Sequence, residues 1–384
     1  MTASGLPPLA AAAHQAGLTA LAERGAGAET IAALPDHLWR VEAISLEAIR
    51  ALLAGSGALP PGGSARDARD IVATLGTAPR HAWLVHRWLA ALTRRGLIAP
   101  DRDERLGWCE PSPHTSESPA ALPEAYRALG FPPAMAVAHG AALERLAALV
   151  RDEVTLQRIL FRDGDVLTAL SAYQDNLFTA YLNAAAAALV AARAGTGLPH
   201  LLELGGGAGL TTAATLRVLG GQAADYRFTD ISRLFTVAAA RRFAHVPGLS
   251  CASLDIDMSF ETQGVPPASV EIVLAGNVLH NATDIGATLR RIRQTLVPGG
   301  WLIFTESTQE TDAILTSMQF LLSPPAGAPP PGGRDRRPDG QVFLDAAGWT
   351  HELDAAALFP VLALPDPASP LAVSGQRLFL AQAR

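Results

Sequence analysis

The chain has 384 residues, 36 acidic side chains against 30 basic ones, and a formal net charge of −6. That length suggests two or three compact units and is ample for a large core. Its only cysteines, Cys109 and Cys251, lie far apart without metal-ligand spacing, which excludes a disulfide scaffold and gives no support for structural zinc. Every basic residue is an arginine, which reflects nucleotide composition more than chemistry; the net charge of −6 argues against a nucleic-acid partner, since no basic face offsets it.

Met1 to Gly5 lacks the charged start and apolar core of a signal peptide. The most apolar segment, Ala184 to Ala192, is too short to span a bilayer and reads as a buried helix. No membrane partner is expected, and the cytoplasm is the expected compartment.

Residues 1 to about 60 are Ala/Leu-rich with helical spacing and end in the turn Ala58 to Gly63. Ser64 is placed to cap a helix over Ala65 to Leu75. His81 to Arg95 carries Trp83, Leu84, Trp88, Leu89 and Leu92 at helical spacing, and Gly96 stops it. Leu97-Ile98 and Leu106-Gly107-Trp108 then flank the polar turn Pro100 to Arg105. Helix, helix, hairpin is a winged-helix-like order. A DNA-reading helix needs a basic stripe, and this one would expose tryptophans. Packing or dimerisation is therefore the favoured reading, and the second admits a homodimer.

Residues 111 to 123 are Pro/Ser-rich and read as a linker. Helices are expected at Ala141 to Val150, Leu156 to Leu160 and, at length, Leu167 to Ala192. Tyr173, Phe178 and Tyr181 share one side of the last, a stripe that more often marks core than a pocket. Ala194 to Pro199 is a second boundary. The expected division is a helical, winged-helix-like domain over 1–130, a helical lid over 131–195 and a ligand-binding α/β domain over 196–384.

From His200 onward strand and helix alternate, the mark of a parallel α/β sheet. Strands are expected at Leu201–Leu204, Tyr226–Thr229, Leu249–Leu254, Val270–Ala275 and Trp301–Thr305. Helices are expected at Thr212–Leu219, Leu234–Phe243, Ala287–Leu296 and Ala313–Leu322, and a closing pair of strands at Leu358–Leu364 and Arg377–Ala381. Ser323 to Gly340 is Pro/Gly-rich and reads as a mobile loop. Its Arg334-Asp335-Arg336-Arg337 cluster could dock an acidic carrier protein or a phosphopantetheine arm, although a solvated charge run is the favoured reading.

Leu201 to Leu210 is the most informative stretch: an apolar strand, an acid, a glycine-dense turn and a helix start. Glycine lets backbone approach a ligand, and the helix start offers free N–H groups. Dinucleotides and S-adenosylmethionine (SAM) both use such a turn. A dinucleotide fingerprint would need glycine where Leu210 stands. The observed pattern, Glu203, Gly205, Gly207 and Gly209 at alternate positions, resembles motif I of class I SAM-dependent methyltransferases.

Asp230 ends the second strand, 21 residues after Gly209, where an acid can accept both ribose hydroxyls of an adenosyl ligand. Its alternative role as a helix cap is weaker, because Ser232 is the better cap. Asp255 ends the third strand, where class I methyltransferases hold the adenine amino group; Asp257 lies two residues on. Ile231 and Ile256, which follow these acids, count with the cofactor site, as does Asn277 after the fourth strand. His280 follows Asn277, and Glu306 ends the fifth strand. Neighbouring strands lie about 4.8 Å apart, so this histidine and acid can pair over the crevice. Such a pairing fixes one imidazole tautomer and leaves the other nitrogen free as a base.

Tyr226 to Ser232, Leu254 to Asp257, Asn277-Val278-Leu279-His280 and Pro298-Gly299-Gly300 are similar to the methyltransferase domains of polyketide and nonribosomal peptide synthetases. So are Phe343-Leu344, Trp349 and the run Gly375 to Ala381. The likeness runs from about residue 140 to the end and is greatest to the carbon-methylating branch. It implies a Rossmann-like sheet, SAM as cofactor, His280 and Glu306 as a catalytic dyad, and Tyr173 in the lid as an assisting group. It also implies a small-molecule or carrier-protein-bound acceptor. Because the chain starts at its own methionine without neighbouring synthase domains, a freestanding enzyme is expected. Two alternatives stay open: an O-methyltransferase, acting on a small molecule or a peptide carboxylate, with an N-terminal dimerisation module, and a non-enzymatic SAM-sensing, winged-helix regulator.

Overall fold

The computed structural model describes residues 8–109, 117–160, 171–195, 197–221, 225–325, 328 and 342–384. The Arg334–Arg337 cluster and nearly all of the loop past Pro325 lie outside the described residues.

Helices α1 (Pro8–Glu23) and α2 (Ala28–Gly55) open the chain. Next come α3 (Ala68–Thr74), α4 (Ala82–Arg94) and the antiparallel pair β1 (Ile98–Pro100) and β2 (Leu106–Trp108), the expected winged-helix-like order. Asp67, not Ser64, caps α3, accepting the Arg69 N–H at 2.8 Å. Helix α5 (Leu122–Ala128) starts inside the stretch read as linker and is followed by α6 (Pro133–Glu144), α7 (Leu146–Val150) and α8 (Leu156–Leu160).

The long helix expected over Leu167 to Ala192 breaks at Asn176, which caps a new helix, α9 (Leu177–Ala194). The Asn176 carboxamide accepts the Thr179 N–H at 3.0 Å, and such local capping outcompetes helix continuation. Residues 161–170 lie outside the described residues. Helix α1 lies along α9, where Gly17 leaves room that a Cβ would take from the Tyr181 ring. Tyr181 is buried there as core; Phe178 is buried too but lines a cavity.

The sheet has seven strands in the order β5-β4-β3-β6-β7-β9-β8. They are β3 (His200–Leu204), β4 (Asp225–Asp230), β5 (Leu249–Ser253), β6 (Val270–Gly276), β7 (Leu296–Ser307), β8 (Leu358–Leu364) and β9 (Gln376–Ala383). The first five run parallel, with α10 (Leu210–Val218), α11 (Arg233–Arg242) and α12 (Ile285–Thr295) between them. Helix α13 (Ala346–Ala355) precedes the antiparallel pair β8 and β9. Leu202, Leu204, Val273, Leu302 and Phe304 are buried, as parallel strands covered on both faces require. Ile285, Leu289 and Ile292 of α12 repeat at helical spacing and complete that side of the core. The strand order reverses between β3 and β6, which opens a crevice at their carboxyl ends.

Two further expectations are corrected. Ala313 to Leu322 is not one helix but two 3-10 turns, Asp312–Thr316 and Met318–Leu322, parted at Ser317, whose φ of −141° and ψ of −103° are not helical. The tryptophan face of α4 is not exposed. Trp88 is fully buried and donates its indole N–H to the Leu315 carbonyl at 2.9 Å; half-buried Trp83 donates to Ser323 at 3.1 Å. Helix α4 thus packs against the turns that follow β7, and that packing replaces the regular helix there.

Trp88→Ala should cost about 3–5 kcal/mol of stability by urea unfolding, through cavity formation and the lost hydrogen bond. A loss below about 1 kcal/mol would show that this face carries little of the core.

Candidate active site

The glycine turn is held in place from both sides. Gly205, Gly207 and Gly209 have positive φ, at 59°, 53° and 74°. A Cβ at Gly206 would overlap the Phe228 ring, and one at Gly205 would overlap Val278. Backbone alone fits between β4 and the segment after β6.

The Glu203 side chain lies beneath this turn and does not line the crevice. Its Oε2 accepts the hydroxyls of Thr212 at 2.7 Å and Tyr226 at 2.8 Å, and only 1% of the residue is exposed. Oε1 has no hydrogen-bond partner among the described residues, and burial pushes the carboxyl up to about 7. The side chain braces the turn to α10 and β4.

Asp230 uses both oxygens on backbone, accepting the Gly207 N–H at 3.0 Å and the Ser232 N–H at 2.7 Å. Ser232 itself makes no side-chain cap, so Asp230 both holds the glycine turn and starts α11. Each carboxylate oxygen keeps a lone pair for a ligand hydroxyl, and burial shifts this carboxyl upward. Ile231 beside it is 69% exposed at the crevice edge. Asp255 lies two residues beyond β5, its Oδ1 accepting the Asp257 N–H at 2.9 Å. Asp257 is committed to Thr283, so Asp255 is the acid with accepting capacity to spare. Ile256 is half-buried, its carbonyl holding Thr288 of α12.

Asn277 has a φ of 54°, and its N–H donates to the Thr305 carbonyl at 2.7 Å. Its side-chain oxygen accepts from Ser307, which joins the ends of β6 and β7. That strained link turns the chain so that His280 meets Glu306. The His280 N–H donates to Glu306 Oε1 at 3.1 Å, and Nδ1 lies 2.8 Å from Oε2. The Glu306 side chain is fully buried and that of His280 is 9% exposed. Nε2 has no hydrogen-bond partner among the described residues.

A crevice at this edge is lined by Gly205, Gly206, Asn277, Glu306, Tyr173 and Gln174 among others. His280, Asp230 and Asp255 flank it without lining it. Sequence reasoning missed Gln174, Asn183, Thr211 and Gln376, which also line it. For Asn183 a signal existed: it is a polar residue at the head of an alanine run, and it accepts the Thr211 hydroxyl at 2.9 Å. Tyr173 and Gln376 also line a second cavity, whose other walls include Leu38, Val41, Leu129, Phe131, Met135 and Ile314. The two cavities meet at these residues. Among the described residues, neither has Arg or Lys in its lining. The Tyr173 hydroxyl has no partner among the described residues, and burial pushes its pKa up.

A family model described as a methyltransferase domain matches residues 202–302. Residues 202–302 therefore carry a methyltransferase domain, in a sheet of the class I methyltransferase order. Pyochelin synthetase PchF of Pseudomonas aeruginosa is 28% identical over 348 residues, 88% of this chain and 19% of that protein. Polyketide synthase ThaG of Burkholderia thailandensis is 32% identical over 353 residues, 86% of this chain and 6% of that one. In fold, the chain is similar to the CurJ carbon methyltransferase, at a TM-score of 0.76, 24% identity and coverage of 97% of this chain and 99% of that one. It is thus a relative of methyltransferase segments in polyketide and nonribosomal peptide synthetases, and it spans less than a fifth of PchF or ThaG.

Gly206→Ala should weaken SAM binding at least about tenfold by calorimetry, since the turn must move to admit the methyl group. Unchanged affinity would show that the turn has slack. Glu203 gives a separate test. Its raised pKa means that the folded state holds more protons than the unfolded chain between the ordinary 4.5 and about 7. Its contribution therefore turns destabilising as pH rises through that window, and not below it. The melting temperature of Glu203→Gln should fall less than that of the wild type from about pH 5 to about pH 8. Parallel curves would show that the carboxyl ionises normally.

Proposed function

We propose that this chain moves the methyl group of SAM to an activated carbon, or failing that an oxygen, of a polyketide- or peptide-derived acyl acceptor, small or carrier-bound. The observation that carries this reading is the Glu306 carboxylate gripping both the backbone and the imidazole of His280 beside the crevice. The glycine cradle, Asp230, Ile231, Asp255, Ile256 and Asn277 fit an adenosyl ligand: backbone where a Cβ cannot go, and two acids with accepting capacity along the strand ends. When bound, SAM supplies an electrophilic methyl group. On this reading residues 196–384 bind it, while 1–130 and 131–195 enclose the acceptor.

The protein's own groups then divide the work. Glu306 holds Nδ1, so Nε2 is the atom that takes the proton from the acceptor. The imidazolium so formed is stabilised by the buried carboxylate. Tyr173, kept protonated by burial, donates to the acceptor oxygen on which charge gathers as the proton leaves. The second cavity, apolar over most of its wall and shared at Tyr173 and Gln376, suits an acyl chain. An unmet carboxylate fits it poorly, because no cation among the described residues lines either cavity. That observation ranks carbon or hydroxyl acceptors above a peptide carboxylate. The buried face of α4 likewise ranks enclosure above DNA reading for the N-terminal helices.

His280→Ala should lower kcat by about 10² to 10⁴ with SAM affinity preserved, the usual range for losing a general base. Glu306→Gln should lose less. A His280→Ala enzyme with kcat within a few-fold of wild type and only KM raised would retire the base role.

A further inference from the structure

Among the buried carboxylates that the proposed mechanism leaves unused, Glu310 joins the N-terminal helices to His280. Glu310 lies three residues past the end of β7. Its Oε2 accepts from Arg87 of α4, at 2.9 Å from Nε and 2.6 Å from Nη2, and both side chains are at most 5% exposed. Its Oε1 accepts the backbone N–H of Val342 at 3.2 Å. Val342 and Phe343 are both buried. The Phe343 ring meets the His280 imidazole edge to face, centroids 5.1 Å apart and planes at 79°.

The clamp is not needed merely to dock α4. Arg94 and Arg95 already bind Asp312 at 2.6 and 2.7 Å, and Glu42 of α2 accepts from Arg95 and from the Asp312 N–H. What Glu310 adds is a hold on residues 342 and 343. The imidazole, fixed to Glu306 through Nδ1 alone, can still rock about that bond. Phe343 closes off that motion.

We propose that Glu310 is a positioning residue: anchored by Arg87, it docks Val342 and Phe343 so that the Phe343 ring sets the orientation of His280 for proton removal. The inference rests on His280 being the base. Aromatic edge contacts of this kind are worth about a five- to tenfold effect.

The test is a double-mutant cycle with Phe343→Leu, Glu310→Gln and Glu310→Asp, each in the wild-type and His280→Ala backgrounds. Glu310→Asp keeps a charge for Arg87 while withdrawing from Val342, so it serves if Glu310→Gln fails to fold. In the wild-type background each should lower kcat about five- to tenfold, with SAM affinity and melting temperature near those of the parent for Phe343→Leu. Phe343→Tyr, which keeps the ring, should restore kcat. In the His280→Ala background the same substitutions should cost nothing more. Equal losses in both backgrounds, or no loss in the first, would overturn the inference. A His280→Ala parent at wild-type kcat would instead retire the base assignment, and this inference with it.

Discussion

The active-site half of the molecule is organised around one carboxylate, that of Glu306 at the tip of β7. Its two oxygens take the two donors His280 can offer in that direction, the backbone N–H and the ring nitrogen Nδ1. A buried carboxylate is costly unless its lone pairs are met. The chain meets them by pairing β6 to β7 up to Gly276 and Thr305 and then bending sharply at Asn277. The strain at Asn277 and the turn that carries His280 are both consequences of serving that group. The same end of the sheet carries the glycine cradle, so the cradle and the His280–Glu306 pair share one edge by topology.

The N-terminal helices extend this logic outward. They provide Leu38, Val41, Leu129 and Met135 to the second cavity, whose far wall is built from turns after β7. Those turns are not helical because their groups are bonded elsewhere: the Leu315 carbonyl to Trp88, the Thr316 hydroxyl to His139, and the Asp312 carboxylate to Arg94 and Arg95. His139 is itself bonded to Tyr126, and burial brings it down to about 4, so it stays neutral at ordinary pH. The polar network under the cavity floor is therefore a fixed support.

The sheet was legible in the sequence because its strands are short apolar runs between glycine-rich or charged turns, and their order follows from parallel pairing. Tyr226 to Thr229 and Val270 to Ala275 needed only a residue or two at their ends. The acids at strand ends and the pairing of His280 with Glu306 were legible too, since sheet topology puts neighbouring strand ends together. What escaped was set by tertiary contacts. The break at Asn176 turns on one side-chain cap, and the loss of a helix over 313–322 turns on partners more than two hundred residues away. The downward direction of the Glu203 side chain escaped too, because a pattern of alternating residues says nothing about which side chain faces down. Gln376 came to the crevice only through β9, which pairs with β7 across a long excursion of chain.

The central claim is that His280 removes a proton from the acceptor before methyl transfer, and this can be observed without methylation. A β-ketoacyl thioester would be incubated with the enzyme in D₂O together with demethylated SAM, and deuterium entry at the carbon between the two carbonyls followed by NMR. The account predicts exchange well above the buffer rate with the wild-type protein, and near that rate with His280→Ala. Equal exchange by the two proteins would contradict it.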